Sequence, residues 1–115
     1  MRVFVYGSLK RGFPNHRHLM TATFVGEAQT KPGFTLYDLG PFPGMVAGGT
    51  GSVRGEVFDV DAATLVALDK LESVPSFYDR ATVPLADGSL AHAYLLRPRQ
   101  IVGCPLIRSG SWRKK

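Results

Sequence analysis

The stretch VFVYGSLKRG, residues 3–12, decides how this chain is read. Val3, Phe4, Val5 and Tyr6 put apolar or aromatic side chains on both faces of an extended segment. That pattern predicts a fully buried strand over residues 3–6. Gly7 ends it. A residue without a Cβ lets the backbone bend sharply and lets a ligand come close. The N–H groups of Gly7, Ser8 and Leu9 then form a small concavity of unsatisfied donors, suited to a carboxylate or a carbonyl oxygen, and Ser8 adds a hydroxyl. A tight turn with no ligand is the plainer alternative. The stretch is not a phosphate loop, because neither the Gly-x-Gly-x-x-Gly nor the Gly-Lys-Ser/Thr spacing is present.

Working outward, thirteen glycines and eight prolines cut the chain into short pieces, which favours strands and loops over long helices. Residues 15–20 read as one or two helical turns, with Asn15 as N-cap after Pro14. Residues 21–30 and 34–38 read as strands about the Pro32-Gly33 turn. LGPFPGMVAGGTG, residues 39–51, reads as a loop, and Phe42 and Met45 mark it as one that packs over something. Residues 52–60 read as a strand, and Asp61 caps a helix running to about residue 71. Residues 77–85 and 90–96 read as a hairpin about Asp87-Gly88. No repeat or linker divides residues 1–115, which are expected to form one domain. Many short strands with one good helix predict an α+β fold whose sheet closes or nearly closes on itself.

The helix DAATLVALDKLES, residues 61–73, carries an acid on its apolar side. At 100° per residue Glu72 falls about 20° from Leu65 and about 40° from Leu68, inside the leucine stripe. An ionised carboxylate is costly to bury unpaired, so it gains partners or its pKa rises. Two readings follow. The helix end frays before Pro75 and Glu72 bends into water, or Glu72 points inward as a general acid/base poised near neutral pH.

Composition narrows the function classes. Hydrophobic residues make up 44% and charged residues 20%, ordinary for a globular protein, and no stretch approaches the length of a membrane span. The start MRVFVY does not read as a signal peptide. The single cysteine, Cys104, reads as a small buried or half-buried apolar residue and fits a reducing cytoplasm. The net charge of +5 points weakly to nucleic acid, since removing Arg113, Lys114 and Lys115 leaves +2 and a short basic tail reads as a solvated end. No nucleic-acid or membrane partner is expected. His16, His18 and His92 lack a zinc spacing, so neither metal nor organic cofactor is signalled.

Three blocks together resemble a known family. VFVYGSLKRGFPNHRHL (residues 3–19), VRGEVFDV (53–60) and LDKLESVPSFYDR (68–80) are similar, in order and spacing, to segments of the gamma-glutamylcyclotransferase-like proteins, most of all their gamma-glutamylamine cyclotransferase branch. The resemblance implies a small mixed β-barrel with flanking short helices and a cavity at one end. It carries the family's proton-transferring glutamate onto Glu72 and its substrate loop onto Tyr6, Gly7, Ser8 and Leu9. It implies a lyase- or transferase-type reaction: a gamma-glutamyl amine or dipeptide closes on itself to 5-oxoproline and frees an amine or amino acid. Attack is intramolecular, so the protein holds the folded-back conformer and moves protons.

The amides of residues 7–9 would hold either the α-carboxylate or the developing oxyanion. Tyr78 reads as a packed aromatic or as a donor to Glu72 or substrate, and Arg80 as a structural ion pair. Asn15, His16 and Arg17 read as fixing the loop behind the site, Tyr94 as core packing or, alternatively, as lining the cavity, and Trp112 as an anchor for the carboxyl end. The competing function is a binding module, in which the same cavity holds a small carboxylate or amino-acid derivative without turnover.

Overall fold

The computed structural model describes residues 1–113; Lys114 and Lys115, the end of the basic tail, lie outside the described residues. Seven strands, β1 (Arg2–Val5), β2 (Thr23–Gln29), β3 (Phe34–Asp38), β4 (Pro43–Ala47), β5 (Arg54–Asp59), β6 (Asp79–Pro84) and β7 (Leu90–Leu95), form one mixed sheet. One α-helix, α1 (Ala62–Leu71), and two 3-10 turns, Pro14–Leu19 and Pro98–Ile101, complete the chain. The α+β expectation holds.

The barrel does not. Strand order runs β2-β5-β1-β7-β4-β3, with β6 on the other edge of β7, and the sheet does not close. Its branching at β7 supplies the reason. β1 and β4 both run parallel to β7, but β1 meets it at Val3↔His92 and β4 meets it further along, at Met45↔Leu95. The two strands therefore occupy the same edge in succession and splay apart, which leaves β2 and β3 as ends. Tyr6 fills the fork: its hydroxyl donates to the Tyr94 carbonyl at 2.6 Å and accepts the Met45 N–H at 3.1 Å. Burial holds the phenol proton on and pushes the Tyr6 pKa well above its ordinary value.

β1 is buried on both sides because each face meets its own core. Val3 and Val5 pack with Leu65 and Leu68 of α1, with Phe58 and with Tyr94. Phe4 and Tyr6 pack with Leu36, Met45, Val57, Val83 and Ala93 in a second cluster. Side chains of this kind contribute about 1.5–3 kcal/mol each when fully buried, so β1 anchors both layers.

Two other local expectations change. Residues 39–51 contain strand β4, which pairs antiparallel with β3 from Phe34↔Ala47 to Asp38↔Pro43. Met45 is fully buried there, and a Cβ on Gly44 would come within 2.3 Å of Leu96 Cδ1. A glycine that breaks a strand by propensity is thus required by close packing. Asn15 is not an N-cap: Phe13 precedes the 3-10 turn, and Asn15 lies inside it. The expected Asp87-Gly88 hairpin joins β6 and β7, paired from Asp79↔Leu95 to Pro84↔Leu90, with Gly88 at φ 90°. Among the described residues no helix is long and apolar enough to cross a membrane.

Candidate active site

The fork between β1 and β4 opens into a cavity of about 230 Å³. All six residues singled out from the sequence line it: Tyr6, Gly7, Ser8, Leu9, Glu72 and Tyr78. The chain leaves β1 at Gly7 directly against the start of β4, where a Cβ would sit 2.8 Å from Pro43 Cγ. That crossing is why the bend needs glycine, although its φ lies outside the left-handed range. Beyond it, no acceptor in the described residues pairs with the N–H groups of Gly7, Ser8 and Leu9. Their carbonyls are occupied instead: Gly7 O accepts from Lys10 N, Ser8 O from Asn15 N, and Leu9 O meets His16 Nδ1 at 3.0 Å. The loop is fastened from behind with its donors left over.

Asn15 goes further than support. Its Nδ2 donates to Ser8 Oγ at 2.9 Å, which occupies a lone pair of the hydroxyl and leaves its proton to donate elsewhere, and Asn15 itself lines the cavity. The sequence signal for this was present, a short amide side chain seven residues after Ser8, but an N-cap competed for it.

Glu72 is held by the way α1 ends. The Ser73 N–H bonds to Lys70 O at 3.1 Å and the Val74 N–H to Asp69 O at 2.9 Å, with Ser73 at φ 54°. This paired closure with one left-handed residue terminates the helix in a defined way. The helix end does not fray into water at Glu72. Its carboxylate is half-buried, and among the described residues nothing donates to it or pairs with it. Burial alone raises its pKa from 4.5 to about 7.

The three cavity tyrosines are committed elsewhere. Tyr6 donates to Tyr94 O, Tyr78 to Pro43 O at 2.8 Å, and Tyr94 to Asp69 Oδ1 at 2.7 Å. Burial pushes all three phenols upward in pKa, with the Glu72 charge adding to the effect. Tyr78 therefore offers the cavity a ring face and acceptor lone pairs rather than the donor considered from sequence. Tyr94 lines the cavity as well as packing in the core, so the structure gives it both of the places considered from sequence. Arg80 forms the expected ion pair, with Nε 2.9 and 3.2 Å from the two Asp69 oxygens. Phe42, Leu71 and Phe77 complete the wall. Among the described residues no group of three or more His, Cys, Asp or Glu is arranged to hold a metal ion. Chemically, the cavity combines a cluster of backbone donors, the Ser8 hydroxyl and one carboxylate able to gain or lose a proton near neutral pH.

Residues 3–114 match the family described as gamma-glutamyl cyclotransferase, AIG2-like. The chain belongs to that family. It is similar to a protein of Vibrio cholerae serotype O1, 44% identical over 110 residues that span 96% of this chain and 93% of the relative. The gamma-glutamylcyclotransferase family protein YtfP of Escherichia coli K12 is 39% identical over 112 residues, 97% of this chain and 96% of its own length. Among solved structures, an AIG2-like protein from Mus musculus superposes with a TM-score of 0.86 at 28% identity, covering 97% of this chain and 87% of the mouse chain.

Proposed function

We propose that this protein is a cyclotransferase acting on gamma-glutamyl amines or gamma-glutamyl dipeptides, with Glu72 as its general acid/base. One observation carries the reading: a carboxylate free of protein partners, with its pKa near 7, shares a cavity with the spare amides of residues 7–9. In the proposed reaction the three amides and the Ser8 hydroxyl receive the substrate α-carboxylate. No lysine or arginine lines the cavity among the described residues, so backbone donors take that task. Tyr6, Tyr78 and Tyr94 wall the folded-back chain.

Glu72 as carboxylate removes a proton from the α-ammonium. The freed amine attacks the γ-carbonyl carbon and forms the new C–N bond of a five-membered lactam. Glu72, now protonated, gives its proton to the departing nitrogen as the old C–N bond breaks, and then takes the second proton from the new lactam nitrogen; 5-oxoproline is released, and that second proton passes to the free amine, which leaves as its ammonium ion. Holding the reacting atoms together supplies most of the advantage, as expected for an intramolecular attack. Proton shuttling by a group with pKa near the working pH supplies a further factor of about 10²–10⁴.

The test is to incubate purified protein with gamma-glutamyl-ε-lysine and a panel of gamma-glutamyl dipeptides, following 5-oxoproline by mass spectrometry. Release by the wild type and its loss in Glu72→Gln is the expected result. A wild type that binds these compounds without releasing 5-oxoproline would replace the enzyme with a binding module.

A further inference from the structure

The loop after β1 is fastened at two scales. Within residues 7–16 the bonds are local: Lys10 N donates to Gly7 O, Asn15 to both Ser8 O and Ser8 Oγ, and His16 Nδ1 meets Leu9 O. They give the loop its shape. Two longer links decide where that shape stands on the sheet. Arg11 N and Nε reach the buried Glu56 of β5 at 2.8 and 3.2 Å. Lys10 Nζ donates to Trp112 O at 2.7 Å, across 102 residues of chain.

The second link ends on a strap between the two arms of the forked sheet. Ile107 N donates to Leu36 O of β3 at 2.8 Å, Gly110 N to Ile107 O at 3.1 Å, and Arg54 N of β5 to Gly110 O at 2.8 Å. Gly110 has φ 70°, and a Cβ there would collide with Ser52 O, so the crossing needs glycine. Trp112, 3% exposed, follows and holds the end of the strap in place.

Lys10 is fixed from its other side as well. It is half-buried in a polar cavity of about 400 Å³ shared with Glu27 and Glu56, which stand opposite each other on the β2–β5 ladder. Carboxylates paired in register repel, and a cation in the same cavity relieves that. Its Nζ also stands 4.9 Å from the Phe13 ring centroid. Burial draws the Lys10 pKa below the ordinary lysine value, against the pull of the Glu56 carboxylate. An ammonium in that setting depends on its acceptors.

We infer that Lys10 is a positioning residue: through Trp112 O it ties the loop carrying the Gly7, Ser8 and Leu9 amides to the strap, and so sets where those donors stand relative to Glu72. This rests on the cyclotransferase reading. Lys10 does not line the active-site cavity, so it acts through the loop and not on substrate. The amides receive the α-carboxylate, which is unchanged by the reaction and is held alike in ground and transition states. Misplacing them removes uniform binding, which raises KM and spares kcat.

Lys10→Met keeps the stem and removes the charge and the donor, whereas Lys10→Arg keeps both. With gamma-glutamyl-ε-lysine, Lys10→Met should raise KM about tenfold, the worth of one hydrogen bond from a charged group, with kcat within about twofold. The inflection near pH 7 should not move, and Lys10→Arg should recover most of the loss. A Lys10→Met protein that loses thermal stability but keeps its KM, or that loses kcat alone, overturns the inference. If the wild type releases no 5-oxoproline, the cyclotransferase reading fails, and ¹⁵N relaxation decides the tether separately. In Lys10→Met the order parameters of the residue 7–9 amides should fall from about 0.85 toward about 0.6 and return in Lys10→Arg; unchanged values end the inference. Should Lys10→Met fail to fold, Lys10→Gln, with a neutral donor on a shorter stem, replaces it in both measurements with the same expected direction.

Discussion

The Tyr94 hydroxyl donates to Asp69 Oδ1 at 2.7 Å, joining the last turn of α1 to strand β7. The same carboxylate accepts a hydrogen bond from Arg80 Nε, and Arg80 Nη1 in turn meets His92 Nδ1 at 3.1 Å. Asp69 stands three residues before Glu72, so this chain of contacts sets the attitude of the turn that presents the candidate acid to the cavity, and of the tyrosine that walls it.

Removing that carboxylate orphans two donors at once. Asp69→Ala should lower stability by about 1–3 kcal/mol, because the phenol of a buried tyrosine and a guanidinium lose a charged acceptor. Asp69→Asn keeps one acceptor oxygen and should cost less. Urea unfolding of the two variants measures the order, and an Asp69→Ala protein as stable as wild type would show that the link contributes nothing.

Catalysis by Glu72 as a base requires its ionised form. With a pKa near 7, kcat/KM for a gamma-glutamyl substrate should rise as pH increases through about 7 and level off above it. Glu72→Gln should lose about 10²–10⁴-fold and show no inflection at that pH. A wild-type profile flat between pH 5.5 and 8 would remove Glu72 from the proton transfer.

Stability carries the same signature with the opposite sense. Glu72 titrates near 4.5 when exposed and near 7 when folded, so between those values the folded chain holds more protons than the unfolded chain. Its contribution is therefore present below about pH 4.5 and is lost as pH rises through about 7. Allowing for the side chain's partial contact with solvent, the change amounts to about 1–2 kcal/mol. Glu72→Gln removes the effect, so the Tm of the variant relative to wild type should climb from pH 5 to pH 8. Parallel Tm curves would contradict the burial of this acid.

Ser73 closes α1 in the left-handed region at φ 54°, where a Cβ costs about 1–2 kcal/mol. Ser73→Gly relieves that cost and Ser73→Ala keeps it. After the extra freedom of glycine in the unfolded chain is counted, Ser73→Gly should be the more stable of the two by about 0.5–1 kcal/mol in denaturant unfolding. An inverted order would mean that the serine side chain itself stabilises the cap.

Local sequence determined a good deal. The apolar run of residues 3–6 sets a buried strand, Asp61 caps α1 through the Thr64 N–H, Asp87-Gly88 turns the last hairpin, and the leucine stripe directs Glu72 inward. These follow from periodicity and turn chemistry, which act over a few residues. Strand β4 was hidden, since Pro43 and Gly44 break strands by propensity while Leu96 and β3 demand them there. The open sheet was hidden too, because only the meeting of β1 and β4 along one edge of β7 decides that it forks rather than closes. The commitment of the three cavity tyrosines' protons to partners at least 25 residues away likewise belongs to tertiary structure. Sequence pattern specifies which face a side chain turns to; which atoms it meets there depends on contacts between segments far apart in the chain, and those exist only once the chain has folded.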